Sequence, residues 1–410
     1  MKILVINCGS SSVKYQLIET SLPQINSNTD RYLAKGEVDR VRSSEALLSF
    51  EVAGSESTRE SRPIRDHVQA IQAALEKLTC SPGLVADLTE IEGVGHRVVH
   101  GGEHFTGSVL IDEDVVKEIE KCIDLAPLHN PANLKGYQAA RQLLPHARQV
   151  AVFDTSFHHA MPPHAFHYGI PYVHYSRDRV RRYGFHGTSH RYLNYRFARL
   201  HGHDRSAYKV ITCHLGNGCS MCAINHGRSI DTSMGMTPIE GLLMGTRPGD
   251  IDAGALTYLL AREGMDLHDL ESELNRHSGL YGVSGVSSDM RDLLKQAAAG
   301  HERARLAIDI FCYRVKKYLG AYLAALNGAD GIVFGGGIGE NSPEIRAQIC
   351  ENLDIFGIKV DPESNASVPD QERLISPRGA SPEMWVIRTN EELLIARDTL
   401  RCMLGIPHPI

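Results

Sequence analysis

Three stretches of this sequence pass from an apolar run directly into a glycine turn. Residues 3–6 (ILVI) lead into 7–12 (NCGSSS), 210–213 (VITC) into 214–218 (HLGNG), and 331–334 (GIVF) into 335–341 (GGGIGEN). A turn of small residues exposes backbone N–H groups together and makes a concave nest for an anion. Where a helix follows, its dipole adds to the attraction. Single arginines stand near glycines at Arg97 and Arg247, and carboxylates stand just past apolar runs at Asp154 and Glu391. Donors around a phosphate, cations on the moving group and acids to hold a divalent ion are the parts that phosphoryl transfer needs. The sequence has no G-x-x-x-x-G-K-[ST] loop and no H-R-D or D-F-G set, and GGGIGEN lacks the G-x-G-x-x-G spacing of a dinucleotide site.

The elements that must carry these residues follow from periodicity. Residues 3–6 read as a buried strand, and Val13, Tyr15 and Leu17 alternate with polar residues as a second strand with one buried face. Lys14 then points to the opposite face, toward the same anion. A polar, irregular stretch to about residue 60 reads as further edge-like strands. Asp66 is placed to cap a helix carrying Val68, Ile71, Leu75 and Leu78 on one stripe. Helices are expected over about 113–125 and 131–144, and a strand over 149–153 stops at Asp154. After a helix to about residue 200, the opening theme returns at Lys209 as strand, glycine turn and strand, with a two-residue turn at His226-Gly227. Two copies of this pattern predict duplicated domains. A long helix from about Glu302 to Asn327, the strand 331–334, a helix from about Pro343, a strand 384–387 and a closing helix to about Leu404 complete the chain.

Composition bounds the function. At 410 residues the chain is long enough for two separate cores. A hydrophobic share of 42% and a charged share of 22% are ordinary for a soluble globular protein. A net charge of −6 gives no reason to expect a nucleic-acid partner, so any phosphate site must gather its arginines locally. Nine scattered cysteines form no framework, which points to a reducing compartment. Cys219 and Cys222 make one C-x-x-C without a second pair, in strand pattern, and read as core. No run approaches the roughly 18 apolar residues of a membrane span, and the first residues lack the pattern of a secretory leader. A cytoplasmic protein is expected.

The strings NCGSSSVKYQL, GHRVVHGG, APLHNPAN, VFDTSFH, YGFHGTSH, CHLGNG, SMGMTPIEGLLMGTRPGDID, GGIGEN and TNEELLIAR, in this order over nearly the whole chain, resemble the acetate kinase family. The resemblance implies an α/β fold of two duplicated actin-like ATPase (ribonuclease H-like) domains facing across a cleft. Residues 1–154 plus about 388–410 would form the N-terminal domain, and about 155–387 the nucleotide-binding domain. It implies a homodimer and reversible transfer of the ATP γ-phosphoryl group to acetate, giving acetyl phosphate and ADP, with Mg²⁺ (or Mn²⁺ in its place).

By the same resemblance, Asn7 and Glu391 match the metal-holding positions, and Ser10, Ser12 and Lys14 match positions beside the phosphates. Arg97 and Arg247 match the arginines that bracket carboxylate and phosphoryl group, which suits a planar guanidinium better than an ammonium. His186 matches a transition-state stabiliser. Asp154 matches an acid/base position, although acetate is already ionised at neutral pH and needs no base; orienting Arg97 or a metal-bound water, or tuning local charge, suits it better. His214, Leu215, Gly216, Asn217 and Gly218 resemble a phosphate turn. Asp289, Met290, Arg291, Gly337, Ile338, Gly339, Glu340 and Asn341 match the segments around the adenosine. Val99, Leu128, Phe185 and Pro238 match the apolar lining of the acyl pocket. Cys8, Pro248 and Asp250 depart from the common pattern without touching the expected chemistry. Propionate kinase, a non-catalytic nucleotide-binding module and a sugar kinase are the competing readings.

Overall fold

The computed structural model describes residues 1–367 and 372–407. The chain divides into two compact units, Met1–Phe157 with Asn390–Ile410, and His158–Thr389. Residues 408–410, which the sequence reading assigned to the N-terminal domain, lie outside the described residues.

In the first unit the strands are β1 (Lys2–Cys8), β2 (Ser12–Glu19), β3 (Arg31–Asp39), β4 (Ser43–Val52), β5 (Thr58–Ile64), β6 (Ile91–Val98), β7 (Val109–Leu110) and β8 (Arg148–Phe153). They form one sheet in the order β5-β4-β3-β2-β1-β6-β8-β7. The second unit carries β9 (Lys209–Leu215), β10 (Cys219–Asn225), β11 (Arg228–Thr232), β12 (Gly331–Gly335), β13 (Arg373–Leu374) and β14 (Glu383–Val386), ordered β11-β10-β9-β12-β14-β13. The duplication is explicit in the pairing. In each sheet the first strand pairs antiparallel with the second and the second with the third, and the first continues parallel into two later strands. Even the short closing strands correspond, β7 antiparallel to β8 and β13 antiparallel to β14.

Strand β1 lies in the middle of its sheet, so both faces are covered and its sequence is continuously apolar. Leu4, Ile6 and Cys8 pack with Ala70, Ile71 and Leu78 of the helix His67–Cys80 and with Ala139 and Ala140 of the helix Asn130–Leu143. Ile3 and Val5 face the other way, onto Ile395 and Ala396 of the helix Glu391–Leu404. That last helix lies very close to β6. A Cβ on Gly95 would meet Ile395 Cγ2 at 2.7 Å and clash with Thr399 Oγ1. Only a bare Cα allows this approach, and Gly95→Ala would cost about 1–3 kcal/mol through overpacking. The close approach sets Glu391, the first residue of the helix, beside the carboxyl ends of β6 and β8.

In the second unit β9 and β10 are buried almost throughout. The helix Glu302–Leu326 contributes Ile308, Phe311, Val315 and Leu319 to the core, and the helix Gly187–Leu200 contributes Leu193 and Phe197. The first of these stops at Asn327, which takes the left-handed conformation (φ 52°) that an asparagine C-cap tolerates. Cys219 and Cys222 are core residues of β10, and burial pushes the Cys219 thiol up to about 12.

Two local expectations change. The stretch to about residue 60 holds strands as expected, β3 to β5, but also an unexpected short helix, Leu22–Ser27, capped by Ser21 and led by Pro23. GGGIGEN is more than a turn: residues Gly336–Asn341 form a helical turn and a half, followed by the helix Pro343–Cys350.

Candidate active site

In the first unit the chemistry gathers where β1, β6 and β8 end. Arg97 Nε donates to Asp154 Oδ1 at 3.0 Å and Nη2 to Oδ2 at 2.5 Å, a bidentate fork. Glu391 Oε2 lies 3.8 Å from Arg97 Nε. Asp154 is 1% exposed, while Arg97 and Glu391 keep 20% and 19% of their side chains open to solvent. Burial acts to lower the Arg97 pKa, but the charges of Asp154 and Glu391 overcome it and raise the value. Burial pushes Glu391 up to about 7; Arg97 pulls it down, and Asp154 and Glu392 push it further up. The cluster therefore has more carboxylates than its one guanidinium neutralises.

Asn7 stands directly across from Lys14 in the β1–β2 ladder, so the two side chains share a face. Lys14 lies 3.6 Å from Glu37 Oε1 and its charge also reaches Glu391. The serine turn is partly spent on itself, because the Gly9 N–H donates to the Ser12 carbonyl at 2.8 Å. Ser10 is exposed and Ser12 half-buried. Val99 is buried, and its N–H is held by Asn133 Oδ1 at 3.0 Å; the His100 N–H is held by Asn130 Oδ1 at 3.1 Å. These two buried asparagines fix the HRVVHGG segment. Both fall within the APLHNPAN string, yet no role was read for them. Leu128 is 53% exposed and does not form an enclosed wall within its unit.

In the second unit a different set converges on Gly218. A Cβ built there would lie 2.7 Å from Arg247 Nη2 and 3.5 Å from His186 Nε2, so guanidinium and imidazole approach one point from which a side chain must be absent. Arg247 Nη1 donates to the Pro238 carbonyl at 2.6 Å. Among the described residues no carboxylate lies within ion-pair distance of Arg247, and burial lowers its pKa, opposed only by the nearby Cys219 thiol. His186 adopts a left-handed backbone (φ 56°) at the entry to the helix Gly187–Leu200. That conformation costs a non-glycine residue about 1–3 kcal/mol and is retained mostly at functional sites. The His186 ring stacks on His214 with centroids 4.3 Å apart, and His214 Nδ1 is bonded to Ser189 Oγ at 2.7 Å. Phe185 is buried, and its carbonyl is bonded to His158 Nε2 at 3.0 Å. Asp250, one of the departures from the family pattern, accepts from the Gly241 N–H at 2.9 Å and from Tyr318 Oη at 3.1 Å, so it braces the loop that carries Arg247.

Beside this point lies a cavity of about 720 Å³. Its lining brings together Gly216, Asn217, Asp289, Met290, Arg291, Gly337, Ile338 and Asn341 from three separate segments. Asp289 caps the helix Met290–Ala298 and forks onto Arg291, an ion pair that lowers the Asp289 pKa. Leu215 and Glu340 do not line the cavity. Leu215 is fully buried, and Glu340 Oε1 accepts from the Gly336 and Thr389 N–H groups, both at 2.9 Å, so it ties the glycine segment to the end of the unit. Gly339 packs against Leu215. Ser288, Leu294, Ser342 and Glu344 also line the cavity. They went unread, although Ser288 precedes Asp289, Leu294 lies one helical turn beyond Met290, and the other two follow GGGIGEN directly.

In the second unit, donor-rich glycine segments stand beside a nucleoside-sized cavity and an arginine that no described carboxylate neutralises, which are parts that a phosphotransferase needs. The chain belongs to the acetokinase family, whose model matches residues 2–397. It is 52% identical to the acetate kinase of Chloroherpeton thalassium over 98% of this chain and 99% of that one. The crystal structure of Porphyromonas gingivalis acetate kinase superposes with a TM-score of 0.91 at 43% identity, covering 98% of this chain and 99% of that one. A propionate kinase structure from Francisella tularensis subsp. tularensis gives 0.89 at 39%, covering 99% and 100%.

Proposed function

We propose that this kinase, whose family substrates are ATP and a carboxylate, transfers the ATP γ-phosphoryl group to acetate by direct in-line attack of a carboxylate oxygen, reversibly, giving acetyl phosphate and ADP. The observation that carries the reading is the convergence of Arg247 and His186 on the bare Cα of Gly218, beside the cavity lined by Asp289–Arg291, Gly337, Ile338 and Asn341. Arg247 and His186 donate to the equatorial phosphoryl oxygens as charge spreads over them. Arg97 holds the acceptor carboxylate, and Asp154, forked onto it and buried, acts as a positioning residue that fixes the guanidinium plane. Ser10, Ser12, Lys14 and the segment His214–Gly218 face the phosphates in this reading. By the family resemblance, Val99 and Leu128 of the first unit and Phe185 and Pro238 of the second are the apolar residues that would meet the methyl group of the acid.

Among the described residues no group of three or more His, Cys, Asp or Glu side chains makes a self-sufficient metal cage. Mg²⁺ does not require one, since it keeps waters and phosphate oxygens and takes one or two protein oxygens. Glu391, whose hold on a proton is strengthened by burial and then by the neighbouring carboxylates, and the Asn7 amide would be the protein oxygens that meet that demand. When bound, the ion neutralises charge on the transferring phosphates. Two further expectations belong to the same reading. All nine cysteines are free, in keeping with a cytoplasmic enzyme. Among the described residues no helix is long and apolar enough to cross a membrane. Tyr172, Tyr258 and Leu267 expose 66%, 66% and 75% of their surface, in keeping with a homodimer.

Trapping acetyl phosphate with hydroxylamine tests the reaction, and kcat/KM for acetate against propionate tests the acid. A pocket discriminates one methylene by about 1–3 kcal/mol. Acetate is expected to lead; a ten-fold lead for propionate would reassign the substrate, and absence of hydroxamate would leave only a nucleotide-binding module.

A further inference from the structure

A neutral imidazole donates from one ring nitrogen and accepts at the other. For His186 to donate from Nε2, the nitrogen nearest Gly218, its Nδ1 must accept. Nδ1 lies 2.9 Å from Ser220 Oγ. The same oxygen is 2.8 Å from His190 Nε2, and His190 Nδ1 is 2.7 Å from Thr212 Oγ1. Thr212 comes from β9, Ser220 from β10, and His190 from the helix that His186 opens, one turn further on. All three are fully buried. Burial, with His158 and His214 nearby, holds His190 far below the usual imidazole range, so it carries a single ring proton.

Such a chain has two possible directions. In one, the Thr212 hydroxyl donates to His190 Nδ1, His190 Nε2–H donates to Ser220, and the Ser220 hydroxyl donates to His186 Nδ1. In the other, Thr212 accepts, and its own proton then has no acceptor among the described residues. A buried donor without an acceptor costs about 1–3 kcal/mol, whereas a spare hydroxyl lone pair costs less. We propose that Thr212, His190 and Ser220 form a one-way hydrogen-bond chain that fixes His186 as its Nε2–H tautomer, and that all three are positioning residues for phosphoryl transfer. The catalytic consequence rests on the role given to His186 above; the tautomer does not.

The test uses the full-length enzyme labelled with ¹⁵N-histidine, reading tautomers from long-range ¹H–¹⁵N correlations, with the His186 signal assigned by its loss in His186→Gln. The wild type is expected to show Nε2–H at His186. Thr212→Val should populate the Nδ1–H form and lower kcat about ten-fold or more, with the ATP KM moving less than about two-fold. Thr212→Ser should restore both tautomer and rate. A wild-type His186 protonated at Nδ1, or a Thr212→Val enzyme with unchanged tautomer, overturns the proposal. A shifted tautomer with unchanged kcat overturns the catalytic role of His186 and leaves the chain standing. Should Thr212→Val fail to fold, Ser220→Ala removes the last donor of the chain and carries the same expectations.

Discussion

Arg97 and Arg247 are both half-buried, and they are held by opposite means. Arg97 is forked onto Asp154 with Glu391 close by, and these carboxylates outweigh the burial that acts against its charge. Arg247 is held by a neutral carbonyl, and burial weakens its hold on its proton. The first arginine is an ion pair of the folded state. The second is a partly desolvated cation without a counter-ion among the described residues, an arrangement that lowers stability unless an anion arrives to match it. On the proposed function, the difference would give placement to the first unit and charge stabilisation to the second.

The most severe test of that contrast is Arg247→Ala. We expect kcat to fall about 10³-fold, the scale of a lost transition-state arginine, with the ATP KM changed less than about three-fold. Its Tm should stay level or rise, because an uncompensated buried charge has gone. Arg247→Lys should recover little, since an ammonium lacks the planar fork. Next comes the paired arginine: Arg97→Ala strands Asp154 as a buried charge and should cost about 3–5 kcal/mol in chemical denaturation as well as activity. Equal stability in the two alanine variants would erase the distinction.

Asp154→Asn keeps the shape and removes the charge. With Asp154 as a positioning residue, we expect kcat about 10²-fold lower, in the range seen for lost preorganisation, and a pH–rate profile of unchanged form. Loss of the acidic limb would make Asp154 the base instead. A smaller effect follows from Glu391, whose pKa of about 7 in the folded state lies above its ordinary 4.5. Between those values the folded chain keeps a proton that the unfolded chain releases. The contribution of Glu391 to stability is therefore full below 4.5 and lost as pH rises through 7. A divalent ion must displace that proton, so the apparent KM for Mg²⁺ should rise toward about ten-fold per pH unit below 7. A KM for Mg²⁺ that stays flat from pH 8 to 5.5 would remove Glu391 from the metal site.

Much of the scaffold was legible because its signals are local. Apolar runs ended at glycines, Asp66 announced the helix His67–Cys80, and Asn327 its predecessor's end. The helix Leu22–Ser27 escaped because six residues led by proline carry no periodic stripe. Gly336–Asn341 escaped because glycines argue against helix, while packing on Leu215 overrides that preference. At the site, residue types betrayed Asp154 and Glu391 as charges past strand ends and Arg97 as a lone arginine near glycines. The fork between positions 57 apart had no local signature. Ser220, Thr212 and His190 were hidden for a related reason, since alternation along a strand marks a face as buried without telling which polar groups will meet there.

The first unit is built from both extremes of the chain. Its sheet is made from the first 153 residues, but the helix that covers one side of β1 and delivers Glu391 is the last element to be synthesised. A ribosome therefore releases the continuous second unit, residues 158–389, able to close on its own before the first has its final layer. A chain cut short before Asn390 would keep the residues that line the second unit's cavity and lack Glu391. On the proposed function, such a chain is expected to bind nucleotide without phosphotransfer, with Ile3 and Val5 uncovered for chaperones and proteases to find.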